Sequence, residues 1–325
     1  MKVKVGVVGV GVLGKHHTRL HNECEQAELI GIYDVDPNRA ADVAKEFATR
    51  RFESMEELIA SVDGISVAVP TDLHYQIVSE LLIRGKHVLV EKPLTSTIDD
   101  GQKLLDLAKN QKCILHVGHV ERYNPVITYL EKKICDPRFI ETHRLALYPP
   151  PRPGMLPRGT EVGVVLDLMI HDIDVILNLV KSEVVQIDAV GIPILSKSED
   201  IANARLKFAN GCVANLTASR VSHEKMRKIR VFQRDAYLSL DYQNKKGEIV
   251  TLANMSIRRE PVPIEDHDAL QKELEDFIQC CQGALGSGTT LEPRVLAEHG
   301  LKALAIADRI TQQTRVSNAI NTENQ

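Results

Sequence analysis

The chain has 325 residues, of which 43% are hydrophobic and 26% charged, and its net charge is −4. That length favours two domains, and the slight acidic excess argues against a protein that binds nucleic acid through basic phosphate contacts. Six cysteines show no Cys-x-x-Cys pair and no Cys/His ligand spacing, so reduced thiols are expected rather than disulfides or a metal site.

The first residues loosely imitate a signal peptide, since Lys2 and Lys4 precede an uncharged run from Val5 to Gly14. Four glycines interrupt that run, however, and no small-residue cleavage site follows it. No stretch of about 18 apolar residues occurs in the sequence, which predicts that nothing spans a membrane. A cytoplasmic protein is therefore expected.

Through residue 120, short β-branched segments alternate with helical patterns. Strands are predicted at "KVKVGVVGV", "AELIGIYD", "GISVAV", "KHVLVE" and "CILHVG". Nearly continuous apolar strands that helices separate are typical of a parallel sheet covered on both faces. Residues 1–120 are therefore predicted to form the N-terminal Rossmann domain of an α/β protein.

After residue 120 the pattern changes to longer strands with hairpin turns, of which Asn210-Gly211 is the clearest. A proline-rich loop covers residues 148–159. Helices are expected near residues 121–134, 164–180, 266–284 and 292–315. Residues 121–325 are therefore predicted to form a substrate-binding α+β domain with an open, mainly antiparallel sheet. The uncovered face of that sheet is expected to be apolar and to join copies of the chain into a homo-oligomer, a dimer or tetramer.

The segment Gly9-Val10-Gly11-Val12-Leu13-Gly14 is a G-x-G-x-x-G between a predicted strand and a predicted helix. Its glycines would permit a tight turn, the close approach of a pyrophosphate, and the packing of helix on strand. The second strand ends at Asp34, whose carboxylate would accept hydrogen bonds from ribose hydroxyls and repel a 2′-phosphate. The next two residues supply no arginine for such a phosphate. A turn that binds nothing is the alternative, but strand, turn and acid together predict NAD.

These features resemble the glucose-fructose oxidoreductase/inositol dehydrogenase (Gfo/Idh/MocA) family over nearly the whole chain. The most specific marks are Glu91-Lys92-Pro93, which follows "HVLV", and "DLMIH", which runs from Asp167 to His171. The resemblance implies a Rossmann domain followed by an open-sheet domain. It also implies that further residues lie near the cofactor, namely Arg39, Pro70, Thr71, His74, Glu91 and Lys92.

Three segments resemble one subgroup of that family, the dehydrogenases that oxidise the 3-hydroxyl of UDP-N-acetylglucosamine on the way to a modified lipid A. They are "GHVERYNP" (118–125), "VVLDLMIHDID" (164–174) and residues 218–243. This likeness implies a UDP-sugar substrate near His119, Arg122, Tyr123 and Asp174.

Lys92 would lie at the carboxyl edge of the parallel sheet, where ligands bind in such folds. A lysine there can hydrogen-bond a substrate hydroxyl and stabilise the alkoxide-like charge that develops as hydride leaves. The alternative is a solvated lysine at a strand end.

The predicted helix around His171 has a narrow polar stripe. At 100° per residue, Asp167, His171, Asp174 and Asn178 fall within about 60°, and apolar residues cover most of the remainder apart from Asp172. Such a helix would line a polar cleft, where His171 can act as general base and Asp167 can orient it. A partly exposed surface helix, or a histidine satisfied by its own aspartate, is the alternative.

Residues 219–230 concentrate positive charge in an acidic protein. Arg220, Lys225, Arg227, Lys228 and Arg230 stand against Glu224 alone, and Arg152 and Arg158 lie in the proline-rich loop. A diphosphate clamp formed by Arg152, Arg158, Arg220 and Arg227 is one interpretation. A strand edge guarded by charge is the other.

The sequence thus predicts an NAD-dependent dehydrogenase that oxidises a sugar hydroxyl to a ketone, with a UDP-linked amino sugar as substrate. One alternative is a reductase or dehydrogenase of another sugar, polyol or carbonyl compound. A second is a regulator that binds NAD without turnover. Lys92, Asp167 and His171 favour an enzyme, because a regulator has no need of all three.

Overall fold

The structure is a computed structural model that describes residues 2–151, 157, 159–253, 256–286 and 291–323. The chain forms two compact units. The first contains Met1–Tyr123 and Asp268–Leu301, and the second contains Asn124–His267 and Lys302–Gln325. Residues 268–301, expected in the second domain, therefore belong to the first unit.

The helices and strands alternate in the first third of the chain and then give way to longer strands. In chain order they begin with β1 (Val3–Val8), α1 (Val12–Glu23), β2 (Ala27–Tyr33), α2 (Pro37–Glu46), α3 (Met55–Ser61), β3 (Gly64–Val67), α4 (His74–Ile83), β4 (His87–Glu91), α5 (Ile98–Gln111) and β5 (Leu115–Gly118). They continue with α6 (Pro125–Lys133), β6 (Pro137–Leu145), α7 (Ile170–Val180), β7 (Val184–Ile192), β8 (Ile201–Phe208), β9 (Val213–Ser219), β10 (Met226–Gln233), β11 (Ala236–Asp241), β12 (Lys246–Ala253), β13 (Ser256–Pro261), α8 (Ala269–Gly286) and α9 (Ala297–Glu323).

The first unit contains a parallel sheet of five strands in the order β2-β1-β3-β4-β5. Every residue of β3, β4 and β5 is buried, as expected for strands that helices cover on both faces. The helices begin at side chains that accept backbone hydrogen bonds, namely Asp36 for α2, Ser54 for α3 and Thr97 for α5.

Helix α8 joins the first unit because its apolar face packs there. Phe277, Ile278 and Cys281 are buried in one cluster with Val3 and Val5 of β1. Contacts between residues more than 250 positions apart carry no signal in a local sequence pattern, so α8 was expected in the domain that precedes it along the chain.

The second unit contains an eight-stranded sheet in the order β13-β12-β11-β10-β6-β9-β8-β7. Every adjacent pair is antiparallel except β6 and β9, which run parallel. Strand β6 lies inside this sheet although no strand was predicted at its position. The two sheets confirm the predicted fold class.

One face of the second sheet is covered by helices. Ala204, Leu206 and Leu216 of β8 and β9 are buried in one cluster with Ile173 of α7 and Ile310 of α9. The same cluster holds the remaining inward residues of these strands, which alternate with outward ones as the pleat requires.

The opposite face is mixed in character and is not the apolar surface that was expected. On β8 and β9, Asn203 donates to Thr217 and Arg205 donates to Asn215. On β6, β10 and β11 the outward residues include three aromatic rings, with Phe232 centred 5.6 Å from Phe139 and 4.6 Å from Tyr237. Over the described ranges, no helix has the length and apolar character needed to cross a membrane.

Candidate active site and cofactor-binding turn

The glycine turn has the geometry of a dinucleotide-binding loop. Gly9 has a φ of +83°, and a Cβ there would lie 2.7 Å from the Ala68 carbonyl oxygen. A Cβ at Gly14 would lie 1.8 Å from the Gly9 carbonyl oxygen. The fold itself therefore requires both glycines.

Gly11 is different, because a Cβ there would meet no atom of the described residues within 4 Å. As the N-cap of α1 it offers no side-chain acceptor to the first amides of the helix. Val12, the first residue of that helix, is 58% exposed, and Leu13 follows it half-buried. Open space in front of unsatisfied amides and a positive helix end suits a pyrophosphate. The turn therefore fits NAD.

The carboxylate of Asp34 is buried and accepts four hydrogen bonds. Its donors are the amides of Val10 and Asp36, each at 2.8 Å, and Nε and Nη2 of Arg39, at 3.1 and 2.9 Å. Burial opposes the charged form, but the bonds from Arg39 and the backbone outweigh it and hold the pKa of Asp34 below its ordinary value. Although the two residues after Asp34 supply no arginine, the first turn of α2 brings one to the acid.

The loop after β3 contains the predicted residues Pro70, Thr71 and His74. Pro70 is exposed and Thr71 is half-buried in a short 3₁₀ turn, Thr71–Leu73. His74 is buried, with Nδ1 2.9 Å from the Pro93 carbonyl oxygen and Nε2 3.0 Å from that of Val69. Burial lowers the pKa of His74. Both ring nitrogens therefore face backbone carbonyls, and His74 holds this loop against the segment after β4. That His74 lies near the cofactor stays a prediction.

Glu91, which is predicted to lie near the cofactor, is buried and bonds to groups of the protein. Its Oε1 lies 3.0 Å from Nε2 of His17, a residue of α1 that the sequence did not single out. Its Oε2 accepts a 3.3 Å bond from the backbone amide of Lys92. Burial opposes ionisation of Glu91, but His17 and Lys92 together hold its pKa below the ordinary value. The Glu91 carboxylate thus links α1, the helix that follows the glycine turn, to the backbone at Lys92.

Lys92 directly follows β4, at the carboxyl edge of the sheet, and its side chain is half-buried. The peptide bond between Lys92 and Pro93 is cis. Lys92 therefore lies at the predicted position, on the carboxyl edge at which parallel sheets bind ligands.

Three predicted substrate residues, His119, Arg122 and Tyr123, are buried in the first unit. The hydroxyl of Tyr123 donates a 2.6 Å hydrogen bond to Asp276 of α8. Burial and the neighbouring Asp276 carboxylate raise the pKa of Tyr123 far above its usual range. Tyr123 is therefore a neutral internal donor to α8, and its assignment to the substrate stays a prediction. The roles of His119 and Arg122 stay predictions.

Asp167 lies in a single turn of π-helix, Val165–Met169, which leads directly into α7. Single π-helical turns are frequent at functional sites. Asp167 and His171 are both half-buried, whereas Asp174 is only 2% exposed. Asn178 donates to Glu131 of α6. The predicted polar stripe is therefore interrupted at Asp174, whereas Asp167, His171 and Asn178 are each half-buried.

Asp172, which seemed to interrupt the apolar side of the helix, forms a buried ion pair. Nε and Nη2 of Arg144 on β6 bond its two carboxylate oxygens at 3.0 and 3.1 Å, and the Tyr242 hydroxyl donates to it as well. This pair anchors α7 to β6 at the residue next to His171. The sequence did not reveal it, because the partners are 28 and 70 positions away.

The basic segment 219–230 does not assemble into one clamp. Arg220 is 2% exposed and donates to five acceptors of the protein. Its assignment to the substrate stays a prediction that this pairing does not favour. On β10, Arg230 pairs with Glu141 at 2.6 Å on the uncovered sheet face. Arg227 is exposed and, by the pleat, shares a face with the buried Ile229. The predicted substrate residues Arg152 and Arg158 lie outside the described residues.

Together, the parallel sheet, the glycine turn and the acid after β2 define a Rossmann oxidoreductase. Residues 3–119 match the family model described as an oxidoreductase family with an NAD-binding Rossmann fold. Residues 130–239 match the model of the GFO/IDH/MocA C-terminal domain. The chain belongs to the Gfo/Idh/MocA family of oxidoreductases. The family, the enzyme class and the cofactor NAD predicted from the sequence are thereby confirmed.

The chain is similar to characterised dehydrogenases over nearly its whole length. UDP-N-acetylglucosamine 3-dehydrogenase of Acidithiobacillus ferrooxidans is 35% identical over 314 residues, which are 91% of this chain and 97% of the relative. A solved structure of that dehydrogenase matches with a TM-score of 0.89 at 33% identity and covers 97% of this chain and 99% of its own. Inositol 2-dehydrogenase of Rhizobium meliloti is 25% identical over 325 residues, which are 95% of this chain and 96% of the relative.

Proposed function

We propose that this protein is an NAD-dependent dehydrogenase that oxidises the 3-hydroxyl of UDP-N-acetylglucosamine to a ketone. The observation that carries the proposal is the 35% identity to the A. ferrooxidans UDP-N-acetylglucosamine 3-dehydrogenase, which spans both units of the chain. The inositol dehydrogenase is 25% identical over a similar span. The difference favours the nucleotide sugar over a free polyol.

Three residues are proposed to carry the chemistry. His171 accepts the proton of the substrate hydroxyl, and Asp167 orients its ring. Lys92 stabilises the alkoxide-like charge that forms as the C–H bond breaks. When bound at the glycine turn, NAD supplies the hydride acceptor. The half-burial of all three side chains supports these roles, since each combines restricted motion with access to solvent.

The diphosphate of the substrate is proposed to bind arginines, because guanidinium forks match phosphate oxygens with charge-assisted hydrogen bonds. Arg227 is the exposed candidate on β10, and Arg152 and Arg158 remain candidates from the proline-rich loop. Arg220 is left out of this proposal because its side chain is buried among five acceptors of the protein.

An absorbance assay for reduced nicotinamide tests the proposal, with NAD and equal concentrations of UDP-N-acetylglucosamine, free N-acetylglucosamine and inositol. Turnover should require the nucleotide sugar, and the product should carry its ketone at C3. No reduction with any UDP sugar, or equal rates with the free sugar, would overturn the substrate assignment. Preference for inositol would instead select the alternative class of polyol dehydrogenases.

A homo-oligomer and a cytoplasmic location are proposed as well. The aromatic group Phe139, Phe232 and Tyr237 on the uncovered sheet face supports the homo-oligomer. Phe232 is exposed and the other two rings are half-buried. Multi-angle light scattering should show a dimer or tetramer at micromolar concentration, and Phe232→Ser should weaken it. A monomer in both wild type and Phe232→Ser would contradict the oligomer.

The six free thiols support the proposed cytoplasmic location, because disulfides are rare in a reducing compartment.

A further inference from the structure

Arg220 lies immediately after β9 and is almost completely buried. Its guanidinium donates to five acceptors. They are Asp200 Oδ1 at 2.8 Å, the Gly159 and Val162 carbonyl oxygens at 2.6 and 2.8 Å, and the Ser196 and Ser198 hydroxyls at 2.9 and 3.0 Å. A planar fork of five N–H donors suits such a site, and a lysine ammonium does not.

The acceptors come from two further segments of the second unit. Asp200 also accepts the backbone amides of Ile194, Leu195 and Ser196 at 2.6–2.9 Å. Gly159 and Val162 lie in the segment that precedes the π-helical turn Val165–Met169. The Val164 amide donates to the Glu199 carbonyl oxygen at 2.9 Å, so the same two segments are joined a second time.

That segment is packed directly against Asp167. Gly159 has a φ of +81°, and a Cβ there would lie 2.4 Å from Asp167 Oδ2. The Asp167 amide in turn donates to the Gly163 carbonyl oxygen at 3.0 Å. Arg220 therefore binds the carbonyl oxygen of Gly159, the residue that lies against the Asp167 carboxylate, and that of Val162 three residues further on.

We infer that Arg220 is a positioning residue for the reaction. It holds Gly159 and Val162 so that their segment fixes the carboxylate of Asp167, and Asp167 in turn orients His171. The inference rests on the roles proposed above for Asp167 and His171. A phosphate contact is disfavoured, because the guanidinium would have to leave all five of its acceptors. The loss of Arg220 would also leave the Asp200 carboxylate buried without its ion-pair partner, so folding is measured beside kinetics in every variant.

The first test compares Arg220→Gln and Arg220→Lys with Arg230→Gln, which removes a half-exposed arginine paired with Glu141. With UDP-N-acetylglucosamine and NAD, kcat of Arg220→Gln should fall about 10- to 100-fold, as expected for a misplaced catalytic group. KM for both substrates should stay within about threefold. Arg220→Lys should not restore kcat, because the three N–H donors of one ammonium cannot serve all five acceptors. Arg230→Gln should behave as wild type.

The second test reaches Asp167 without touching Arg220. Gly159→Ala places a methyl group against the Asp167 carboxylate and should lower kcat to a similar extent. Gly211→Ala is the matched control, because Gly211 has a φ of +85° but no atom of the described residues lies within 4 Å of an added Cβ. It shares the backbone strain and lacks the collision. Thermal unfolding and NAD binding show that each variant is folded.

A spectroscopic measurement makes the test independent of the substrate. The ring ¹⁵N resonances of His171, assigned by their loss in His171→Asn, should shift in Arg220→Gln and Gly159→Ala but not in the two controls. A raised KM for the UDP sugar with unchanged kcat would make Arg220 a phosphate contact and overturn the inference. Unchanged kinetics and resonances with only a lower unfolding temperature would also overturn it. Should His171→Asn keep normal turnover, the proposed base fails separately.

Discussion

Arg39 bonds both carboxylate oxygens of Asp34 through its Nε and Nη2, at 3.1 and 2.9 Å. The acid that should discriminate between NAD and NADP thus carries an arginine fork, although the arginine is five residues further along the chain. Backbone amides occupy the remaining acceptor positions. A ribose hydroxyl must therefore share this carboxylate with Arg39, whose side chain is 45% exposed and able to move.

Cofactor choice should favour NAD, because the Asp34 carboxylate repels a 2′-phosphate. Asp34→Ser should reduce the difference in affinity between NAD and NADP, because it removes that charge and releases Arg39 to bind the 2′-phosphate. A charge-assisted bond of about 1.5–3 kcal/mol corresponds to about 10- to 100-fold in Kd. Dissociation constants for NAD and NADP, measured by calorimetry, check the prediction.

Asp34→Ser/Arg39→Gln is the control for this prediction. It should lose the NADP affinity that Asp34→Ser gains, since the fork is then absent. Tighter binding of NADP than NAD by the wild type, or an unchanged ratio in Asp34→Ser, would show that Asp34 does not select the cofactor.

Turnover should depend on Lys92 and His171 far more than NAD binding does. General acid–base groups contribute about 10²- to 10⁴-fold, so Lys92→Met and His171→Asn should lose kcat on that order. Lys103→Met is the control, since Lys103 is an exposed lysine paired with Asp100 on α5. Near-normal turnover of His171→Asn would move the proton acceptor elsewhere, with His119 tested next because Tyr123 is bound to Asp276.

Arg227→Ala, Arg152→Ala and Arg158→Ala should each raise KM for the UDP sugar with smaller effects on kcat, as expected when uniform binding is lost. Arg230→Ala should change neither constant, because its side chain pairs with Glu141 on the opposite face of β10. Steady-state kinetics with UDP-N-acetylglucosamine check the pattern. If all four variants match the wild type, the basic residues are a charged strand edge rather than a diphosphate site.

Stability should fall in acid through Asp200. Burial opposes its charge, but bonds from the Leu195 amide, Ser196 and Arg220 outweigh it and hold the pKa of Asp200 well below its ordinary value of 3.8. A carboxylate with a depressed pKa stabilises the fold above the ordinary value, and this stabilisation is lost as pH falls from there toward the folded-state pKa. The gap in free energy of unfolding between wild type and Asp200→Asn should therefore shrink below about pH 4. Urea unfolding at pH 7 and pH 3 measures both, and a constant gap would contradict the role of Asp200.

Local sequence determined the features whose physical cause is local. A φ of +83° and a close backbone approach require glycine at Gly9, so the turn is visible in the letters themselves. The acid at the end of β2 and the lysine after β4 follow from where apolar strands stop, since the carboxyl ends of parallel strands meet at one edge. The family resemblance rests on the same short segments.

Tertiary structure alone decided which polar residues face each other. Glu91 with His17, Arg144 with Asp172 and Arg220 with Asp200 are separated by 74, 28 and 20 positions. In the sequence, Glu91 and Arg220 looked available for a ligand and Asp172 looked like an interruption of an apolar helix, because their partners lie far along the chain. The basic residues of segment 219–230 do not form one cluster. The pleat places successive side chains of a strand on opposite faces of the sheet, and a buried arginine requires hydrogen-bond acceptors. The sequence shows which residues are charged, but their burial and their ion-pair partners depend on how the strands are arranged in space.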